Sequence, residues 1–396
     1  MIEPDPDYRP NPFRAIYVHG PIDYALLNRL SPNILRYQYE SRDPITVYIN
    51  SPGGITFYAQ ALTRLLEATD QDTSRSCRII TVATGSAASA AADLLCAGGY
   101  AIAYASANLL FHGVRRSGDE ITVAVASNIA DTLRESNEQY AINLAEKSVR
   151  RLGFRYVWMR GGFAGFRTKI SDPSKTDIEC FIGLISARLS VNALKVVQRA
   201  VLRNQRYEAL VAHVSKSTGK SKRIGSKRAA EMEAEIIKRI IDFEKKRNSD
   251  PAWNFINGGL KQTVDDFLLV YEYFAIYDAD HLKRLCDNWG RFFLDQADIH
   301  ELDKITDSID HQKRLDEILK PLLRPLWLFL VALCYELQNE ENFLTAEDAF
   351  WLGLVDEVIG GSPDLFPFRR ILEEKPDIST VGESGSTSTM KPFDVG

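Results

Sequence analysis

The stretch Pro-Ile-Thr-Val-Tyr-Ile-Asn-Ser-Pro-Gly-Gly, residues 44–54, decides the fold. Its first half, Ile45 to Asn50, is short and rich in β-branched residues, the composition of a buried strand. Ser51-Pro52-Gly53-Gly54 then ends the strand in a turn that needs no side-chain room. On the N-terminal side, Ala15 to Gly20 (AIYVHG) reads as another strand, and Tyr24 to Tyr39 carries apolar residues at helical spacing. On the C-terminal side a helix pattern runs to about Ala68, and Arg78 to Ala83 (RIITVA) is a third strand leading into the helical Ala90 to Ala97. Tyr100 to Phe111 holds two further short strands around Ser106-Ala107-Asn108. Strands separated by crossover helices of this length predict a mostly parallel α/β sheet.

The rest of the chain reads differently. A long, polar-faced helix is expected from Ile121 to Leu152, ended by glycines at 153, 161, 162 and 165. Thr176 to His213 and Lys227 to Arg247 are expected to be helical, as is most of the aromatic-rich 252–338, including Phe267 to Phe293. A strand signal returns at Gly353 to Ile359, and the Ser/Gly/Thr-rich Lys375 to Gly396 has the composition of a disordered tail. No repeat of fixed period is present.

With 396 residues, 45% hydrophobic and 26% charged, the chain has globular proportions and is not disordered throughout. Its longest uninterrupted apolar run, Leu326 to Tyr335, is half the roughly 20 residues a membrane-spanning helix needs, so no membrane span is expected. The N-terminus is acidic and proline-broken where a secretory signal would be basic and then apolar, so the protein is read as cytoplasmic. Five scattered cysteines, none in a Cys-x-x-Cys pair, indicate neither a disulfide framework nor a zinc site. The net charge of −5 conceals segments of −4 (1–149), +14 (150–247) and −15 (248–396).

Three features carry chemistry. The Pro-Gly-Gly turn leaves amides pointing outward, able to cradle an oxyanion. In Gly85-Ser86-Ala87-Ala88-Ser89-Ala90-Ala91-Ala92, a serine sits on a strand-to-helix turn, where the helix N-terminus favours negative charge. Capping the helix is the competing use of that hydroxyl. His112 closes the strand pair 23 residues beyond Ser89 and could supply the imidazole that makes such a hydroxyl nucleophilic near neutral pH.

Together the runs RAIYVHGPIDYALLNRL, PITVYINSPGG, GSAASAAADLLCAGG and LLFHG resemble, in order and spacing, the proteolytic subunit of the Clp protease, a serine peptidase of the ClpP/crotonase fold. FLTAEDA (343–349) and GLVD (353–356) resemble its end. The resemblance implies an α/β, ClpP/crotonase-like (ββα) spiral with a mostly helical inserted domain. The expected division is an extended arm at 1–13, a core at 14–152, an insertion at 153–325, the returning core at 326–374 and the tail at 375–396. Ser89 would be the nucleophile, His112 the general base, and the amides of Gly54 and Ala90 the oxyanion hole, with no metal or organic cofactor. The family's triad aspartate falls, without gaps, on Leu337; among the nearby Glu336, Asn339 and Glu340 the expected acid is Glu336, with an acid from the insertion or a Ser–His dyad as the alternatives. A catalytically silent scaffold is the competing reading of the whole chain.

The same resemblance implies polypeptide substrates, a separate ATP-driven unfoldase, and a homo-oligomeric ring whose stacking the insertion alters, because the family's long helix belongs to the handle joining two rings. Within the insertion, Lys216 to Arg228, Lys245-Lys246-Arg247 and the RGG-like Arg160 to Phe163 are basic. Solvated helix faces and a contact to the acidic C-terminal third account for them better than nucleic-acid binding.

Overall fold

The computed structural model describes residues 8–69, 76–115, 123–162, 177–217, 300–362 and 365. The clusters beyond Ser217, the aromatic stretch 267–293 and the tail lie outside these residues. A single 3-10 turn at Pro12–Arg14 leads into β1 (Ala15–His19), α1 (Tyr24–Glu40), β2 (Ile45–Ser51), α2 (Thr56–Leu66), β3 (Ile79–Ala88), α3 (Ala90–Ala97), β4 (Tyr100–Tyr104) and β5 (Asn108–Phe111). The long α4 (Val123–Gly162) follows, then α5 (Asp177–Ser186) and α6 (Val191–Ser217). The chain returns through α7 (Ser308–Asn339), β6 (Asn342–Thr345), α8 (Ala346–Trp351) and β7 (Glu357–Ile359).

The sheet is parallel in the order β1-β2-β3-β4-β7, with β5 pairing β3 and β6 antiparallel to β5. β3 is the long strand and serves two neighbours in turn. Its first half, Ile80 to Ala83, pairs β4, while Ser86 to Ala88 pairs β5. The Asn50 side chain sets the irregularity where β2 meets this second half, accepting the Ser86 amide at 3.0 Å. One hydrophobic core runs from Ile16 on β1 to Leu365 and takes in Cys180, Phe181 and Leu184 of α5 and Val196 of α6.

The returning segment is pinned by two aspartates. Asp348 forms a capping box with Thr345 at the start of α8, and the same carboxylate accepts from the Ser190 amide and hydroxyl, both at 2.7 Å, which docks the start of α6. Buried Asp356 accepts from the Ala101 amide, Arg150 and Arg151 at 2.7 to 2.8 Å. Burial alone would raise its carboxyl; Arg150 and Arg151 outweigh that and hold it below the usual range.

Two helices differ from expectation. α4 does not end at Leu152 but continues through Gly153 to Gly162, and α7 begins at Ser308, so the boundaries at 152/153 and 325/326 both fall inside helices. A helical glycine costs about 1 kcal/mol against alanine. The buried side chains of Arg151, Leu152, Phe154, Arg155 and Tyr156 on either side of Gly153 offset that cost. The N-terminal arm is docked where it is described, with Tyr8 edge-on to Tyr100 at 5.5 Å and Arg78 stacked over Tyr8 at 4.1 Å. Among the described residues no single helix is long and apolar enough to cross a membrane.

Candidate active site

The turn after β2 is locked from below. The Ser51 hydroxyl, fully buried, donates to the Gly20 carbonyl at 2.6 Å and accepts the Gly53 amide at 3.1 Å. Ile22 donates to Gly53 O and accepts from the Ile55 amide, both at 2.8 Å, so the turn lies beside the strand-like Ile22 without using the Gly54 amide. Gly53 (φ +90°) faces the serine turn so closely that a Cβ there would stand 2.7 Å from Ser89 Cβ and 3.2 Å from the Ala90 nitrogen, and nearer still to the Ala88 carbonyl. Glycine is required at this position by both backbone angle and space.

Ser89 occupies φ 56°, ψ −132°, and among the described residues no other non-glycine has positive φ. Such a conformation is held only where surroundings over-determine it, and it collects at functional sites. Here the Ser89 amide is fixed to the Leu110 carbonyl at 2.7 Å. Its hydroxyl does not cap α3, so the capping use of Ser89 is not realised. The Ser89 oxygen stands free and half-exposed. Among the described residues the amides of Gly54 and Ala90 have no hydrogen-bond partner, and the Ala90 nitrogen abuts Gly53.

His112 follows β5 directly, two residues after the carbonyl that holds Ser89. Its Nδ1 lies 2.7 Å from the Gly113 carbonyl, which can only accept, so Nδ1 carries the proton and Nε2 presents its lone pair. The Val114 amide donates to Asn137 on α4 at 2.7 Å, and Gly113 packs against Asn137 and the Gln338 carbonyl, which fixes the loop carrying the imidazole. Ser89 and His112 thus sit at neighbouring strand ends but are not hydrogen-bonded to each other, a common feature of sites without substrate.

Glu336 is not part of this group. Its two carboxylate oxygens are taken by Arg199 Nε at 3.1 Å and Arg203 Nε at 2.8 Å, both from α6. The expected acid is a buried structural ion pair. Asn342 completes it, accepting from Arg199 at 2.8 Å and donating to the carbonyls of Glu336, Leu337 and Glu340 at the frayed end of α7. The acid beside the imidazole is Glu341, missed in the sequence. β5 and β6 pair antiparallel as far as Phe111 opposite Asn342, and Glu341, just before β6, lies near enough to His112, just after β5, to feel its charge. Arg115 at 2.5 Å, and more weakly His112, hold the Glu341 carboxyl below the usual range.

Residues 11–147, ending within α4, match the Clp protease family. This segment is a Clp protease domain. The comparison with curated proteins gives no match. The family segment carries the Pro-Gly-Gly turn, Ser89 and His112, whereas Glu336 and Glu341 lie beyond it in the returning part. The fold of this Clp protease domain is the ClpP/crotonase-like α/β arrangement that the residues had implied.

Near Ser89 the Cys96 and Cys334 side chains are buried and Asp93 is half-buried. Asp93, one helical turn along α3, is pushed up to about 7 by burial, against which a 3.2 Å bond from Gln338 Nε2 works weakly. Burial likewise raises the Cys96 thiol to about 12 and the Cys334 thiol well above its ordinary value. Neither cysteine can serve as a thiolate nucleophile at neutral pH.

Proposed function

We propose that the chain is a serine endopeptidase of the Clp type. One observation carries the reading: a strained serine, its hydroxyl uncommitted, is clamped between a glycine turn with a free amide and a strand end that delivers a histidine with a bare Nε2. In the proposed reaction Ser89 Oγ attacks the scissile carbonyl carbon as His112 Nε2 takes its proton. The carbonyl π-bond opens to an oxyanion that accepts from the Gly54 and Ala90 amides; each such donor is worth about 3 kcal/mol of barrier. Collapse breaks the C–N bond, the imidazolium returns its proton to the leaving amine, and water repeats the sequence on the acyl-serine.

The Gly113 carbonyl takes the orienting part that a carboxylate plays in a full triad, holding the imidazole in the tautomer the reaction needs. Polypeptide substrates delivered by a separate ATP-driven unfoldase, and assembly into a ring, belong to the same proposal, which the match of residues 11–147 to the Clp protease family supports. The competing reading, a silent scaffold, draws support from the capture of Glu336 by Arg199 and Arg203. A fluorophosphonate probe separates the two. Labelling of the folded protein that disappears in Ser89→Ala and falls at least roughly 100-fold in rate in His112→Ala is expected. Folded protein that takes up no probe overturns the peptidase reading.

A further inference from the structure

A cavity of about 250 Å³ opens between α2, α3 and α4, beginning at Ala90, the residue that follows the nucleophile, and passing Gln60, Asp93, Tyr140 and Asn143. We infer that this cavity receives the substrate side chain on the acyl side of the scissile bond, and that Asp93 makes it select a lysine- or arginine-like cation. The inference rests on the peptidase reading and names its substrate class.

Position comes first. Asp93 lies four residues beyond the N-cap Ser89, about 6 Å along α3 at 1.5 Å rise per residue, which suits the reach of a four-carbon amine whose backbone is at Ser89. The volume suffices as well, since a cavity of about 150 Å³ already accommodates benzene.

Unmet polar capacity is the second point. Among the described residues Asp93 receives one side-chain hydrogen bond, from Gln338 to Oδ1, and its other oxygen accepts nothing. Arg64 and Lys147 line the same cavity, but neither offsets Asp93: burial and the Gln338 bond set its acidity. Lys147 is tied to Glu67 at 2.6 Å at the rim. The Tyr140 hydroxyl is also buried without a partner; Gln60 approaches it without reaching hydrogen-bond geometry, and burial, then Asp93, raise it to about 12. A carboxyl with one oxygen unpaired and a hydroxyl without a partner, facing one cavity, cost stability until something pairs them. An ammonium or guanidinium group would donate to both, and its charge would draw Asp93 to the ionised form.

Peptide amides with lysine, norleucine or glutamate at the acyl position, each bearing a fluorogenic amine, test this at pH 8. The expected kcat/KM ranking is lysine above norleucine by about tenfold or more, with glutamate poorest; the lysine-to-norleucine ratio drops to near one in Asp93→Asn and is partly restored in Asp93→Glu. Fluorescence anisotropy of the uncleaved peptides on Ser89→Ala gives the same comparison without turnover. Norleucine cleaved as well as lysine by the wild type overturns the inference and leaves the peptidase reading standing. No cleavage, but lysine-selective binding that Asp93→Asn removes, sinks the peptidase reading and sustains the cavity. Neither cleavage nor selective binding ends both.

Discussion

Gly53 concentrates the constraints on the site at a single residue. Its φ of +90° excludes an ordinary side chain, and the space a methyl would need is filled by Ser89 and Ala90. Gly53→Ala should therefore push the serine turn away from the amides, destabilise the fold by about 2 kcal/mol or more, and abolish probe labelling in the fraction that still folds. Chemical denaturation alongside labelling reads both. Asp93 makes a second prediction through proton linkage. Its native carboxyl keeps its proton to about pH 7, whereas the unfolded chain releases it near the ordinary 3.8. The native state thus binds more protons between these values, so stability falls as pH rises from about 4 to 7 and is level above. Asp93→Asn should remove that slope and be the more stable protein at pH 8, by up to about 4 kcal/mol, with little difference at pH 4. A wild type that gains stability relative to Asp93→Asn as pH rises across this interval would refute the assignment.

At the scale of elements, the β5–β6 pairing and the α6–α7 packing divide two acids between two tasks. The strand pairing brings Glu341 near His112, while α6 arginines capture Glu336. Glu336→Ala should cost about 3 kcal/mol in denaturant unfolding, because it removes the carboxylate that Arg199 and Arg203 share, yet leave the labelling rate per folded molecule unchanged. Glu341→Gln should do the reverse, slowing labelling several-fold while leaving the denaturation midpoint where it is in the wild type, since an exposed carboxylate contributes little to folding. The difference also explains what could be read in the sequence. The strands, the Pro-Gly-Gly turn and the serine helix are local patterns, visible in period and composition. The partners of Glu336 lie 137 and 133 residues upstream, and Glu341 acquires its neighbour only through strand register. No local window contains either fact. Asp93 is hidden for the same reason, since in Ala-Asp-Leu-Leu it reads as a helix surface until α2, α4 and Gln338 close over it. The continuation of α4 through Gly153 likewise depends on tertiary burial that outweighs helix propensity.

Across the whole molecule the uneven charge becomes a fastening. Arginines of the basic segment, Arg150 and Arg151 on α4 and Arg199 and Arg203 on α6, bind Asp356 and Glu336 of the acidic C-terminal third. These bonds, with Asp348 on Ser190, fasten α6 to the returning helix α7 and the start of α8, and α4 to the loop before β7. Tyr156 of α4 meets Phe181 of α5 edge-on at 5.3 Å, and Phe181, Ile185, Val196 and Val197 are buried in the common core. The half of α4 that would project as a handle between two rings is thereby covered by its own chain. A ring built through the Clp protease domain would leave this arrangement intact, whereas back-to-back stacking through α4 would have to displace the returning helix α7, and α5 where Phe181 meets Tyr156, and expose their apolar faces. Single-layered particles are therefore expected in side views by electron microscopy, with a mass of one ring by native mass spectrometry. Two layers joined through α4 would show that the inserted helices yield to the second ring, against the packing that buries Phe181 and Val196 within one chain.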